Sequence, residues 1–282
     1  MTSPAATWTL SGFGDEIDPD PRVQIAVLQA LGAAHIEVRS AWGVNVVDLD
    51  ADRTAQLAGL LDGAGMGVSA VASPIGKVDV TEPVEHEVER LRRVLHVAHA
   101  LRTRYIRVFS FFRGEGVPVE STRDAVLVRM RALADEAERA DVILLHENEK
   151  DIYGDTPQRV ADIIESVGSP ALRVAWDSAN FVQVGVQHPH DEGYALLREH
   201  LEYLQVKDAV AATGAVVPAG EGDGQVAATI AALRDDGYTG FASLEPHLDE
   251  AYTLGGFSGP VAFGQAARAF AGLLAEAGVS TR

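Results

Sequence analysis

Glu147 sits near the end of "VILLHENEK" (142–150), where four apolar residues run straight into His146, Glu147, Asn148 and Glu149. The arrangement recurs. Asp177 ends "LRVAWD" and opens "DSAN", and Glu245 ends "GFASLE" with His247 two positions on. "LEYLQVKD" carries Gln205 and Lys207, and "HIEVRS" carries Glu37 and Arg39. Residues two apart on a strand share one face. A short β-branched apolar run bounded by polar residues reads as a strand buried on both sides, as in a parallel sheet. Three carboxylates and an amide oxygen at neighbouring strand ends repel one another strongly without a cation. Oxygen donors of this kind suit Mg²⁺ or Mn²⁺ rather than zinc. The pattern therefore nominates Glu147, Asp177, Gln205 and Glu245 as ligands of one divalent metal.

A single acid after a strand is usually a helix cap or a solvated loop residue. It is the recurrence on three strands that argues for function, because clustered like charges need a reason. Glu149 and Lys150 read as loop surface. Trp42 and Trp176 are large enough to stack on a sugar ring, but Trp176 should point away from the barrel interior if Asp177 points in. The Gly-rich "PAGEGDG" (218–224) contains Glu221 and Asp223, which argue against an anion there. It reads better as a turn entering a helix capped by Asp223.

The elements that must position these residues alternate. Strand-like runs occur at 7–14, 35–40, 67–73, 105–112, 142–147, 172–177, 201–208 and 240–246. Between them lie segments with helical spacing, among them 21–33, 84–101, 122–140 and 259–278. Asp20-Pro21, Thr156-Pro157 and Gly259-Pro260 are helix-start signals, and Gly32, Gly65 and Gly237 are stops. Eight repeats in 282 residues predict an α/β fold, a single-domain (β/α)8 barrel of the TIM type spanning 1–282. The rival doubly wound sheet usually has a glycine-rich phosphate turn after its first strand. Here "GDEIDPD" follows, which would repel a pyrophosphate. In a barrel the active site lies at the C-terminal strand ends, where the acids fall.

Apolar residues make up 47% of the chain, enough for a large core. There are no cysteines, which excludes disulfides, thiolate metal sites and a cysteine nucleophile. A formal charge of −18 without a large basic cluster speaks against nucleic acid as a partner. No run has the length of a membrane span, and the N-terminal stretch lacks a basic segment followed by an apolar one. The expectation is a cytoplasmic protein with no membrane partner and a homo-oligomeric state left open.

With "HENE", "DSAN", "VKDA", "GEGDG" and "GYTGFASLEPH" in order, one strand apart, the sequence resembles the xylose-isomerase-like sugar phosphate isomerase/epimerase superfamily. "FGDEI", "IEVR" and "SPIGK" are looser echoes in the N-terminal half. The resemblance implies one divalent metal held by Glu147, Asp177, Glu245 and a β-strand histidine, in whose place this chain has Gln205. Family ketose epimerases also have a histidine where this chain has Asn180. A glutamine carbonyl is a harder, weaker ligand than imidazole. Asn180 donates a hydrogen bond but carries no proton at neutral pH.

The resemblance further implies a sugar, sugar phosphate or keto-polyol as substrate and proton transfer through a metal-stabilised ene-diolate. Glu147 and Glu245 would be the acid–base pair and Lys207 a further catalytic group holding a substrate oxygen, or else salt-bridged to a neighbouring acid. Glu37, Asn180, His247 and Trp42 would contact the substrate. Two alternatives share the scaffold: a metal-dependent lyase of the inosose or dehydroshikimate dehydratase type, and a non-catalytic sugar-binding barrel.

Overall fold

A computed structural model describes residues 6–248 and 258–282. Eight parallel strands form the barrel wall: β1 (Ala6–Gly12), β2 (His35–Val38), β3 (Gly67–Ala72), β4 (Tyr105–Val108), β5 (Ile143–Glu147), β6 (Leu172–Asp177), β7 (Leu201–Val206) and β8 (Phe241–Leu244). They are hydrogen-bonded in the order β1-β8-β7-β6-β5-β4-β3-β2. A parallel bridge between Phe13 and Glu37 joins β1 to β2 and closes the ring. A short C-terminal strand, Val279–Thr281, pairs with β1 outside the barrel, an element the sequence patterning does not predict.

The helices follow their start and stop signals. In α1 (Pro21–Ala30), Asp20 accepts a hydrogen bond from the Arg22 amide. In α2 (Ala51–Ala64), Asp50 caps Arg53, and Gly65 ends the helix at a φ of 65° that favours glycine. Then come α3 (Val84–Ala100), α4 (Arg123–Arg139), α5 (Pro157–Val167), the short α6 (Ser178–Gln183) and α7 (Pro189–Leu197), α8 (Val226–Asp235) and α9 (Gly259–Ala277). The Asp223 cap is a correction. Gln225 precedes α8 without a side-chain cap bond, and Asp223 Oδ2 instead accepts from the Ala211 amide at 2.7 Å.

Alternation along the strands separates two cores. Outward-facing Leu144, Val174, Trp176 and Leu204 join the large apolar cluster beneath the helices. Trp176 packs edge-on against Phe181, 5.0 Å between ring centres. Inward-facing Ala70, Leu145, Ala175 and Tyr203 form a separate small cluster that fills the barrel, with Tyr105, Ile143 and Phe241 packed against it. Further along the same faces, the inward positions turn polar, with Arg107, Glu147, Asp177, Gln205 and Glu245 all buried and Glu37 level with Ala70 of the inner cluster.

β4 is shorter than the pattern suggests. It ends at Val108, after which Phe109, Phe111 and Phe112 donate backbone hydrogen bonds to Ile75, Gly76 and Val78 of the β3–α3 loop. Gly76 has φ 85°, and a Cβ there would lie 2.0 Å from the Phe109 carbonyl oxygen, so only glycine permits this approach.

Candidate active site

Glu147, Asp177 and Glu245 converge at the C-terminal mouth. Each presents a carboxylate oxygen, and the three lie within 4.8 Å of one another. At that spacing, with an effective dielectric of about 20, two like charges repel by roughly 3–4 kcal/mol. Three cations answer them, Lys207 and Arg107 buried and Arg39 partly exposed. Lys207 Nζ lies 2.8 Å from Asp177 Oδ2 and 3.1 Å from Glu245 Oε2. Arg107 Nη1 lies 3.2 Å from Glu147 Oε2 and 3.8 Å from Glu245 Oε1. Arg39 donates to Glu245 Oε1 at 3.1 Å, to Asp15 Oδ2 at 2.8 Å and to Glu16 Oε1 at 2.6 Å.

The acids do not respond alike. Burial pushes the Glu147 carboxyl up to about 8, against the pull of Arg107. Burial also raises Asp177 to about 6 despite Lys207. For Glu245 the rise from burial is outweighed by Lys207, His247, Arg107 and Arg39, which hold it well below the usual carboxylate range. Lys207 is driven well above an ordinary lysine, since Asp177, Glu245, Glu147 and Glu149 overcome the effect of burial. Groups pushed in opposite directions within one cavity are a common mark of a functional site.

The acids are held by their neighbours. Asn148 donates to the Asp177 carbonyl at 2.8 Å and accepts from its amide at 3.0 Å, locking β5 to β6. Asp177 Oδ1 caps α6 through the Asn180 amide at 2.9 Å, so the helix-cap reading holds for this residue as well. Asn180 Nδ2 reaches Glu147 Oε1 at 3.2 Å and the Asn148 carbonyl at 2.8 Å.

A cavity of about 360 Å³ opens over the cluster, lined among others by Arg39, Lys77, Glu149, Asn180, Lys207 and His247. β8 ends at Leu244, short of His247, and His247 has φ 40°. Its ring nevertheless stands over the site, Nδ1 3.7 Å from Glu245 Oε1 and Nε2 3.3 Å from Glu16 Oε1.

Two residues expected to contact the substrate lie outside the cavity lining. Glu37 is fully buried one layer below, bonded to Tyr203 and Gln205, and does not line the cavity. Trp42, at φ 53° in the turn between Ala41 and Val44, packs against the main core instead. Glu149 and Lys150, read as loop surface, both line the cavity, and Glu149 pairs with Lys77 at 3.0 Å. Sequence reasoning missed Lys77 and Arg107. Arg107 stands inside an apolar strand run, "YIRVF", and a charge in such a run was the available signal. The Gly-rich loop offers no phosphate cradle. The amides of Gly220, Gly222 and Gly224 all donate to the Asp208 carboxylate, at 2.9, 3.1 and 2.8 Å.

The donor set fits a hard divalent cation. Three carboxylates converge, and Gln205, paired in register with Asp177, has a buried Oε1 with no hydrogen-bond partner among the described residues.

Residues 25–271 match the family model described as xylose isomerase-like TIM barrel. The 2-epi-5-epi-valiolone 7-phosphate 2-epimerase of an Actinoplanes species is 29% identical over 217 residues, 72% of this chain and 77% of that protein. A D-tagatose 3-epimerase-like protein superposes with a TM-score of 0.78 at 15% identity, covering 95% of this chain and 98% of the other. A xylose isomerase-like TIM barrel protein from Mycobacterium smegmatis, in complex with magnesium, gives 0.70 at 19% identity over 96% and 97%. The two structural likenesses establish the fold; the family match establishes that the chain belongs to the xylose isomerase-like TIM barrel family.

Proposed function

We propose that this protein is a divalent-metal-dependent epimerase or isomerase that moves a proton on the carbon beside a carbonyl in a sugar or keto-polyol. The observation that carries the reading is the convergence of Glu147, Asp177 and Glu245 within 4.8 Å beneath a polar cavity. The similarity to a curated epimerase points the same way.

Glu147, Asp177, Glu245 and Gln205 Oε1 would hold Mg²⁺ or Mn²⁺. When bound, the metal supplies positive charge for the substrate oxygen that becomes anionic as the proton leaves. Glu147 and Glu245 come from strands separated by β6 and β7, an arrangement that would let them flank the reacting carbon. One carboxylate takes the carbon-bound proton from one face, and the other returns a proton. Return to the same carbon on the opposite face inverts its configuration, and return to the neighbouring carbon gives aldose–ketose isomerisation.

Lys207 holds Asp177 and Glu245 in place and lies within the cavity wall, where its ammonium can donate to a substrate hydroxyl. Asn180 orients Glu147. Toward the cavity rim, Lys77 and Lys150 favour a substrate with an anionic substituent, in keeping with the 7-phosphate in the relative's name.

Glu245→Gln keeps the shape of the side chain but takes no proton. With Mn²⁺ saturating, its turnover should fall by about 10²–10⁴-fold. Full activity in that variant would contradict the acid–base assignment.

A further inference from the structure

We infer that Glu37 is a positioning residue for the metal site: its carboxylate fixes the Gln205 amide so that Oε1, and not the NH₂ group, serves as the fourth donor. The inference rests on the metal-binding reading above.

An amide side chain has one end that can bind a cation and one that cannot, and the two ends are nearly the same size. A glutamine ligand therefore needs something to choose its orientation. Gln205 is 1% exposed and Glu37 is 0% exposed, so water does not make that choice. Gln205 Nε2 lies 3.2 Å from Glu37 Oε1 and 3.5 Å from Oε2. Turning the amide over would set Oε1 against two carboxylate oxygens, acceptor facing acceptor. It would also put the NH₂ group where Oε1 now stands.

Glu37 is itself held firmly. Tyr203 Oη is 2.8 Å from Glu37 Oε2 and 2.8 Å from Ser69 Oγ, and Ser69 Oγ is 2.6 Å from Ser11 Oγ. The backbone of Glu37 forms the bridge to Phe13 that closes the barrel. This layer of polar side chains beneath the mouth thus fixes Glu37, Glu37 selects the amide orientation, and Gln205 Oε1 is left as a buried acceptor without a partner. Such an atom is costly unless a cation or donor meets it. The resulting set is four oxygens, which favours hard ions such as Mg²⁺ and Mn²⁺.

The test is a Mn²⁺ titration, by calorimetry or by the loss of free-ion EPR signal, on the intact protein without substrate. Glu37→Gln supplies an NH₂ group able to bond Gln205 Oε1 and take it from the metal. Mn²⁺ affinity should fall about 10–100-fold, the usual range for residues that orient a ligand. Gln205→Leu should lose a similar amount. The double variant should bind no more weakly than Gln205→Leu, since no amide is left to orient. Wild-type affinity in Glu37→Gln, or losses that add in the double variant, would overturn the inference while leaving the metal site intact. If Glu37→Gln does not fold, Glu37→Asp, which draws the carboxylate back from Gln205 Nε2, takes its place: a loss of Mn²⁺ affinity absent in the Gln205→Leu background supports the inference, and wild-type affinity overturns it. A wild-type protein that takes up no Mn²⁺ would overturn the metal-binding reading and this inference together.

Discussion

The two halves of the barrel contribute to the mouth differently. β5, β6 and β8 bring Glu147, Asp177 and Glu245, with Lys207 following β7. β2, β4 and the loop after β3 bring Arg39, Arg107 and Lys77, while Asp15 and Glu16 behind them occupy two of the Arg39 nitrogens. The acidic half alone would be strongly self-repelling. The site is a balance struck across the barrel: the C-terminal half supplies the clustered carboxylates, and the N-terminal half supplies much of the positive charge that lets them be buried together.

Arg107→Leu attacks that balance most directly. Arg107 is 5% exposed and spans Glu147 and Glu245; its loss takes from Glu147 its paired cation, while Glu245 keeps Lys207 and Arg39. Breaking a buried pair in this way typically costs about 3–5 kcal/mol. Denaturant unfolding of the metal-free protein should show a loss of that order, partly recovered by saturating Mn²⁺. A loss of well under 1 kcal/mol would mean that the two halves are not coupled through this residue.

Lys77→Met tests the rim, where the effect should be smaller. The Lys77 side chain is 34% exposed, pairs with Glu149 at 3.0 Å and lies 4.3 Å from the centre of the Phe109 ring. Partly exposed pairs of this kind contribute about 0–1 kcal/mol, so stability should barely move. Its effect belongs in KM for a phosphorylated substrate, which should rise several-fold while the unphosphorylated analogue is unaffected. An equal change for both substrates would remove Lys77 from recognition of the anionic group.

The halves also differed in how far the sequence disclosed them. The acids were legible because each ends an apolar run, and strand alternation then fixes the face on which it lies. Depth along the barrel is not encoded that way. Glu37 and Arg39 share a face, yet Arg39, two residues further along, reaches the cavity while Glu37 stays beneath it; how near the mouth a given strand position lies depends on the stagger between strands, which the pattern of one strand does not carry. Trp42 occupies a positive-φ turn position and packs against the core, a placement that strand periodicity does not predict. Lys77 and Glu149 lie in loops beyond their strands, where neither strand nor helix periodicity predicts direction. The barrel itself was legible from its alternation. Its closure through the Phe13–Glu37 bridge was not, since Phe13 lies one residue past the end of β1.

Proton exchange beside a carbonyl would show itself as deuterium uptake from solvent. The protein would be incubated in D₂O with a panel of ketoses, inososes, hydroxypyruvate and their phosphates, with Mn²⁺ or with EDTA, and read by NMR. At least one compound should exchange a carbon-bound hydrogen with solvent in the presence of Mn²⁺ and not of EDTA, with a new epimer or isomer appearing and no loss of water. Dehydration products would contradict the epimerase or isomerase reading in favour of a lyase, and a compound that binds tightly without exchanging any carbon-bound hydrogen would contradict it in favour of a sugar-binding barrel.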